Sequence, residues 1–350
     1  MPNSSSITKS YVYSKINSVR WKPSASTFSK PEIFISGSWD NEDNKVCVWR
    51  CASEGDPQLL QEISHAGDVS DITYISRDTA AVASSNGSVS LYKHADDTNK
   101  NLSLSQCFKH AHHFQSGSQA PCTSVASDGC LIATVGEDAR LLLLSPGQHE
   151  PHRIIDSGSD SSEYAVTFIK TNEVLTGSLQ GHLRLWDIRK AGNIPTVTMI
   201  TTDQEWIRDV SCHPSQQHVV AAAGEAGALT LWDMRNTTQP FTSISAHSAP
   251  VLEARFHRNS PDHIFTCGLD GQLVHWDVSY HSARSLLEGT GGGGLVTSWL
   301  HPSVARGDVT TTALINAGPL PLNSVDVQGD VAVAASDNEA LFVLRNLVMC

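Results

Sequence analysis

Apolar and polar residues alternate in short runs along most of the chain, and glycine, asparagine or aspartate commonly separates one run from the next. Alternation of this kind indicates half-buried β-strands, whereas no stretch sustains the period of about 3.6 residues that marks an amphipathic helix. In the clearest runs a glycine precedes four residues and then Trp-Asp, as at 181–187, 227–233 and 271–277. The pattern predicts an all-β protein with almost no helix.

These runs belong to a repeat that fills the chain. Weaker copies carry Trp, Tyr, Leu or Val at the position of this tryptophan, and the seven equivalent positions are Trp49, Tyr92, Leu144, Trp186, Trp232, Trp276 and Val343. Their mean spacing is 49 residues. A repeat of about 40–45 residues, enlarged here by insertions, with four strands in each unit is typical of a WD40 propeller blade. The sequence therefore predicts a seven-bladed WD40 β-propeller.

The two ends of the chain are predicted to meet in the last blade. Only seven residues follow Val343, too few for a turn and a complete fourth strand. We expect the segment Tyr11–Ser14 to supply the missing outer strand, because this closure joins the first blade to the last and leaves few exposed sheet edges. The predicted organisation is a disordered tail at 1–10 and one propeller at 11–350, with a long insertion at about 279–319.

Charge and composition exclude several classes of protein. The chain has 24 Lys and Arg against 36 Asp and Glu, a formal net charge of -12, and such a surface repels phosphate, so no direct nucleic-acid binding is expected. The eight cysteines form no C-x-x-C pair, which favours free thiols in a reducing compartment. Without a signal peptide or an apolar run of roughly 18 residues, we expect a soluble, intracellular chain with no membrane insertion.

The best-formed repeat predicts a buried, hydrogen-bonded relay of four side chains. His247 precedes an inner strand, and Thr266 lies on the next strand. Asp270 stands at the following turn and Trp276 on the third strand. In a WD blade the indole donates to the hydroxyl, the hydroxyl to the imidazole and the imidazole to the carboxylate. A Thr-His-Asp set resembles a catalytic triad, but the repeat explains the spacing and the hydroxyl should be buried. We expect a structural role.

No motif outside the repeat predicts chemistry. Histidines at 110–113 lie near Cys107 and suggest a metal site, but they occupy the same position before an inner strand as His247. The glycine-rich run at 289–294 lacks the Gly-Lys-Ser/Thr ending of a phosphate loop. We therefore predict a protein that is not an enzyme and has no cofactor and no metal.

Two successive repeats end in W-D-x-R, and this pair has two interpretations. The residues concerned are Asp187, Arg189, Asp233 and Arg235. The double motif resembles the one by which WD-repeat substrate receptors dock onto a cullin–RING ubiquitin ligase adaptor, or else each pair is a local ion pair at the end of a third strand. A further possibility, a peptide or modified-histone reader, requires an acidic or aromatic cage at the mouth of the central channel.

Several stretches beyond the generic repeat carry a more specific resemblance. They lie at 37–44, 82–87, 120–124, 134–138, 165–168 and 213–220. Together they resemble the nucleoporin 43 family, the small WD-repeat subunits of the Y-shaped scaffold complex of the nuclear pore. The resemblance extends from about Tyr11 to Leu347 and is weakest around 281–305.

This resemblance implies a non-enzymatic scaffold component of the nuclear pore complex, at the nuclear envelope, that supports mRNA export and protein transport. It also implies an association with the kinetochore in mitosis. The propeller is expected to be a monomer within a hetero-oligomer, docked on the helical short-arm subunit, nucleoporin 85. Long loops at 93–120 and 279–319 are candidate contact surfaces, because loops on a rigid scaffold commonly carry recognition. The ligase-receptor interpretation remains the alternative.

Overall fold

Seven four-stranded antiparallel sheets account for nearly all of the regular structure in a computed structural model of the chain. The structure describes residues 6–24, 30–95, 101–156, 158, 161–245, 247–281 and 298–349. The inner strands of neighbouring sheets contact one another in a closed ring that returns from the last sheet to the first. This arrangement confirms the predicted seven-bladed β-propeller. In the ranges just given, no helix is long and apolar enough to cross a membrane.

The first strand, β1 (Ser6–Tyr11), belongs to the last blade, and the strands that follow fill the blades in chain order. Blade 1 contains β2 (Ile16–Trp21), β3 (Ile33–Ser38), β4 (Asn44–Arg50) and β5 (Gln58–His65). Blade 2 contains β6 (Val69–Tyr74), β7 (Thr79–Ser84), β8 (Val89–His94) and β9 (Leu102–Phe108). Blade 3 contains β10 (Cys122–Ser127), β11 (Ile132–Gly136), β12 (Arg140–Leu144) and β13 (Arg153–Asp156).

The remaining blades repeat this order from an inner to an outer strand. Blade 4 contains β14 (Glu163–Lys170), β15 (Glu173–Ser178), β16 (His182–Asp187) and β17 (Val197–Ile200). Blade 5 contains β18 (Ile207–Cys212), β19 (Val219–Gly224), β20 (Ala228–Asp233) and β21 (Thr242–Ser245). Blade 6 contains β22 (Val251–Phe256), β23 (His263–Gly268), β24 (Leu273–Asp277) and β25 (Thr310–Ile315). Blade 7 contains β26 (Leu322–Gln328), β27 (Val331–Ser336), β28 (Ala340–Arg345) and β1.

Strand β1 closes the ring, as the predicted closure by an N-terminal strand requires. It pairs antiparallel with β28, from Ser6 opposite Arg345 to Tyr11 opposite Ala340. The strand therefore lies earlier than the expected segment at 11–14, and the described propeller begins at Ser6 instead of residue 11. This strand is polar and largely exposed, so its sequence carries little hydrophobic signal, and backbone pairing to a single neighbour holds it in place.

The hydrophobic core is divided among the seven interfaces between neighbouring blades. Each interface contains one cluster of buried side chains, contributed by the two sheets that face each other. Second strands such as β27, with the sequence VAVAAS, are buried at all six positions. Small residues fit these strands because both of their faces are covered. The third strands add large side chains, and Trp232 and Trp276 are fully buried.

The connection between β24 and β25 is partly built into the core. A 3₁₀ turn (Ser298–Leu300) and a short helix, α1 (Pro302–Ala305), follow its undescribed part at 282–297, which includes the glycine-rich run. Trp299 is fully buried, packs between blades 5 and 6, and donates its indole N–H to the Pro261 carbonyl at 2.7 Å. Because β25 lies inside the predicted insertion at 279–319, the connection between the two strands is shorter than expected.

Candidate functional site

The seven inner strands surround a central channel with a cavity at each end. The opening where the inner strands begin, which we call the upper mouth, has a cavity of about 470 Å³. It is lined by the second residue of every inner strand: Asn17, Ser70, Thr123, Tyr164, Arg208, Leu252 and Asn323. The opening where these strands end, the lower mouth, has a cavity of about 400 Å³. Both are candidate binding surfaces of a propeller.

A buried network of charges lies in the channel between the two mouths. The Arg20 Nη2 atom is 2.9 Å from Asp71 Oδ1 and 2.6 Å from Glu253 Oε1. Arg20 also donates through Nη1 to Ser324 Oγ at 2.9 Å, and Arg255 Nε donates to Glu253 Oε1 at 2.8 Å. These bonds join side chains of blades 1, 2, 6 and 7. Polar and charged side chains thus occupy the axis between the two cavities.

Asp71 and Glu253 of this network, together with Asp209 and Asp326 on other inner strands, also connect neighbouring blades through the backbone. Each accepts a hydrogen bond from a backbone N–H on the inner strand of the next blade. The pairs are Asp71 with Val125 (3.1 Å), Asp209 with Ala254 (3.0 Å), Glu253 with Val325 (2.7 Å) and Asp326 with Trp21 (2.7 Å). Ionised acceptors make strong hydrogen bonds to backbone donors. The inner ring is therefore held by polar bonds as well as by apolar packing.

Burial and the two arginines shift the pKa values of the carboxyl groups in the channel in opposite directions. Burial alone would raise the pKa of Glu253, but the guanidinium groups of Arg20 and Arg255 outweigh it and lower this pKa to about 2. Burial raises the pKa of Asp209 to about 6, and it also raises the pKa of Asp326. Glu253 is thus ionised under all ordinary conditions, whereas Asp209 takes up a proton in mildly acidic solution.

The sequence analysis missed this network. The available signal was an acidic residue at the third position of three inner strands, Asp71, Asp209 and Glu253. Such a residue in an inner strand has no access to bulk water on the packed faces of the sheet. Its only polar surroundings are the channel and the backbone of the next blade.

The structure brings together the four residues of the predicted relay. His247 Nδ1 lies 3.0 Å from Asp270 Oδ1, and His247 Nε2 lies 2.7 Å from Thr266 Oγ1. Trp276 donates its indole N–H to the same hydroxyl at 2.8 Å, and Asp270 Oδ2 also accepts the backbone N–H of Ser248 at 3.0 Å. The Thr266 side chain is fully buried and faces neither mouth. A buried hydroxyl of this kind is not accessible to a substrate.

A second relay, in blade 3, was not predicted. His112 Nδ1 lies 2.8 Å from Asp138 Oδ1, and His112 Nε2 lies 2.9 Å from Thr134 Oγ1. Leu144 takes the place of the tryptophan, so the hydroxyl has no indole donor. His112 was expected to be structural or exposed, and it is fully buried. The missed signal was the common spacing of threonine, glycine and aspartate, since 134–138 reads TVGED and 266–270 reads TCGLD.

Glycine is required at the end of the second strand in both relay blades, just before the turn that contains the aspartate. A Cβ atom at Gly268 would lie 2.7 Å from the Pro250 carbonyl and 3.0 Å from His247 Nδ1. At Gly136 it would lie 2.6 Å from the Pro121 carbonyl and 2.8 Å from His112 Nδ1. Cβ atoms essentially never approach non-bonded atoms closer than 3.0 Å, so a side chain at either position would force its neighbours to move. The glycines therefore allow the imidazole to approach the second strand closely.

Other candidate chemistry is not assembled in the part of the chain that the structure describes. No group of three histidine, cysteine, aspartate or glutamate side chains there has the geometry to hold a metal ion. The cysteines of these ranges are free, and burial raises the pKa of Cys47 to about 12 and that of Cys212 to about 11. These thiols are poor nucleophiles, because the thiolate is the reactive form.

The two W-D-x-R segments form matching ion pairs on the lower side of the propeller. Arg189 donates to Asp187 through Nε at 2.9 Å and through Nη2 at 2.8 Å. Arg235 donates to Asp233 in the same manner at 2.8 and 2.7 Å. Each segment begins with the last two residues of a third strand, and the third strands end at the same face as the inner strands. The side chains of Arg189 and Arg235 remain 65% and 60% exposed. Each arginine therefore forms the local ion pair and still presents its guanidinium group to solvent.

Comparison with known proteins agrees with this fold. Residues 238–277 match the family model described as WD domain, G-beta repeat. The chain is 37% identical to nucleoporin Nup43 of Mus musculus and 36% identical to nucleoporin Nup43 of Homo sapiens, over 96% of this chain and 98% of each relative. It is 30% identical to nuclear pore complex protein nup43 of Dictyostelium discoideum, over 49% of this chain and 40% of that relative. The chain therefore belongs to the Nup43 family of nucleoporins, non-enzymatic WD-repeat proteins of the nuclear pore complex.

Proposed function

We propose that the protein is a scaffold component of the Y-shaped subcomplex of the nuclear pore, and that it supports mRNA export and protein transport through position and shape. The observation that carries this proposal is the end-to-end similarity to two mammalian nucleoporins, which spans all seven blades. A closed ring with a hydrogen-bonded axis is rigid, and a rigid propeller offers two faces and a rim to partners.

Within that role, we propose the helical short-arm subunit, nucleoporin 85, as the direct partner, and the kinetochore as a second location in mitosis. The resemblance of the sequence to the nucleoporin 43 family supports both. The rim adds a physical argument, because the outer strands of blades 1 to 4 each expose one large apolar side chain: Leu59, Leu104, Ile154 and Ile200, at 45, 55, 50 and 48%. Exposed apolar side chains on consecutive blades suit packing against helices.

Affinity purification of the tagged, full-length chain tests this role. From interphase nuclear extract we expect the Y-complex subunits, with nucleoporin 85 cross-linked directly to the propeller, and in mitotic cells we expect signal at kinetochores. The double variant Leu104→Glu/Ile154→Glu should weaken recovery of nucleoporin 85. Ile194→Glu, at a position that is 87% exposed on a loop, serves as the control. Absence of pore subunits would contradict the scaffold role, and retention of nucleoporin 85 by the rim variant would exclude that rim surface.

The alternative role, substrate receptor of a cullin–RING ubiquitin ligase, is supported by the two exposed guanidinium groups of Arg189 and Arg235 on the lower face. Their local pairs with aspartate orient both side chains in the same way on neighbouring blades. The alternative requires that the ligase adaptor bind the chain through these two arginines.

A further inference from the structure

Each blade ends at its outer strand, whose free edge carries backbone N–H and C=O groups with no neighbouring strand. In six of the seven blades this outer strand, as far as the structure describes it, is short or interrupted. Strands β13, β17 and β21 have four residues each, and β5, β9 and β25 each contain a bulge where the register shifts. Native sheets commonly protect their edges from pairing with another chain by these two means.

Strand β1 of blade 7 has neither form of protection. It has six residues, and its register with β28 runs without a shift along all of them. The next residue, Val12, donates its backbone N–H to the Glu339 carbonyl at 2.8 Å. Because hydrogen-bonded pairs alternate along an antiparallel ladder, Ile7, Lys9 and Tyr11 turn their own N–H and C=O groups away from β28. In the described ranges no other backbone group bonds to these three residues on that side.

The side chains of the same three residues share one face of the strand and are exposed. Ile7 is 49% exposed and Tyr11 is 59% exposed. The Lys9 ammonium lies 4.7 Å from the centre of the Tyr11 ring and 5.5 Å from the centre of the Phe342 ring on β28. A strand added at this edge would therefore pack its own side chains on apolar surface beside the free backbone groups.

The charge beside this edge is positive, although the whole chain is acidic. Lys9 has no carboxylate partner among the described residues. Arg345, opposite the first residue of β1, is buried and donates to neutral acceptors: the Thr8 hydroxyl at 2.9 Å, a thiol and backbone carbonyls. Asp56, between β4 and β5, accepts the Ser10 hydroxyl at 2.8 Å. An acidic side chain opposite Lys9 would form a cross-strand pair of opposite charge, which stabilises a sheet.

We propose that β1 receives an extended segment of a partner protein, which adds to blade 7 as an antiparallel fifth strand and carries an acidic residue opposite Lys9. Backbone hydrogen bonds supply the affinity of such an added strand, and alternate side chains supply its specificity. A second copy of this chain fits poorly, because self-pairing through Ile7, Lys9 and Tyr11 places Lys9 directly opposite Lys9 of the other copy, and like charges there are destabilising. The proposal does not depend on the pore role.

Synthetic nonapeptides test the proposal with the full-length chain, by fluorescence anisotropy. Threonine alternates with valine or tyrosine in each peptide, and the central residue is Glu, Gln or Lys. We expect the Glu series to bind and the Lys series to bind about fivefold more weakly. Methylation of the backbone nitrogens of the central residue and of the second residue on either side should abolish binding, because these N–H groups face β1, whereas methylation of the intervening nitrogens should preserve it. No binding by any series, or equal effects of the two methylation patterns, would overturn the proposal.

Variants of β1 locate the binding edge. Lys9→Pro removes an N–H that faces away from β28, so blade 7 keeps its own ladder and we expect loss of peptide binding with an unchanged melting temperature. Lys9→Glu should reverse the preference, so that the Lys series binds better than the Glu series. Lys109→Glu, in the exposed turn after β9, makes the same change in charge and should keep the original preference.

The two Lys9 variants keep the proposal open to refutation. If the proline variant is less stable, the reversal of preference in Lys9→Glu still decides whether the peptide lies beside β1. Unchanged binding by both variants would exclude this edge. A dimer of the unmodified chain that Lys9→Pro abolishes would also overturn the proposal, because the edge would then belong to a second copy.

Discussion

The Arg20 guanidinium lies 2.6 Å from the Glu253 carboxylate, although 233 positions separate the two residues in the sequence. Arg20 belongs to blade 1 and Glu253 to blade 6, so the ion pair crosses the channel past blade 7. Glu253 also accepts the Val325 backbone N–H of blade 7 at 2.7 Å. One carboxylate thus connects three blades at the point where the ring closes.

Removal of one partner of this pair should destabilise the propeller strongly. Glu253→Ala leaves Arg20 paired with Asp71, but it removes the acid of Arg255 and the acceptor of the Val325 N–H. Loss of one partner of a buried ion pair costs about 3–5 kcal/mol. We expect a corresponding decrease in the free energy of unfolding, measured by urea denaturation. The double variant Arg20→Met/Glu253→Leu should lose less than the sum of the losses of Arg20→Met and Glu253→Leu, because the two charges interact directly. Additive losses would contradict the role of the pair.

Asp209 should make stability depend on pH in mildly acidic solution. Burial raises its pKa to about 6 in the folded chain, above the ordinary value of 3.8, so the folded state binds the proton more tightly than the unfolded state. The burial of its charge therefore weakens the fold above pH 6, and this effect disappears as the pH falls toward 4. We compare the free energy of unfolding of the variant Asp209→Asn with that of the unmodified chain. The difference should favour the variant by about 2 kcal/mol more at pH 7.5 than at pH 4.5. A difference between the two chains that does not change with pH would exclude this assignment.

The relays in blades 3 and 6 should behave as structural elements. Asp270→Ala removes the acceptor of His247 and of two backbone N–H groups, and Asp138→Ala does the same for His112. A buried donor without an acceptor costs about 1–3 kcal/mol, so each variant should lose several kcal/mol in thermal or urea unfolding. Trp276→Phe removes only one donor and should cost less than Asp270→Ala. Unchanged stability of both aspartate variants would contradict a structural role.

Trp299 should contribute as much to the free energy of unfolding as a buried tryptophan on a blade strand. Its side chain is fully buried between blades 5 and 6, and replacement of a buried tryptophan by alanine costs about 3–5 kcal/mol. Tyr280, in the same connection, is 65% exposed, so Tyr280→Ala should leave the unfolding midpoint nearly unchanged. Equal effects of the two variants would contradict the packing. A deletion designed to test partner binding should therefore stop before residue 298.

The paired arginines on the lower face separate the scaffold role from the ligase alternative. Exposed ion pairs contribute little to stability, so Arg189→Ala/Arg235→Ala should leave the free energy of unfolding nearly unchanged. For the scaffold role we expect the variant to keep its signal at the nuclear rim. If the unmodified chain recovers the ligase adaptor and this variant loses it, the receptor alternative is supported. Equal recovery of the adaptor by both chains would dismiss docking through these motifs.

The sequence by itself determined the features that recur with the repeat. The tryptophan column, the alternating strands and the turns set seven blades, because each blade is a local unit whose pattern appears several times. The positions of His247, Thr266, Asp270 and Trp276 followed from the same period. The equivalent spacing around His112 was present but was hidden by the leucine at the tryptophan position.

Only the tertiary structure decided what the ring brings together. Arg20 and Glu253 are paired because the ring places distant inner strands around one axis, and no local pattern encodes which blades face each other. The upper mouth combines Asn17, Tyr164 and Arg208 from three separate blades for the same reason. The polar strand β1 and the buried Trp299 depend on contacts with other blades rather than on their own sequence. Periodicity therefore fixed the blades, and closure of the ring fixed the chemistry at its centre.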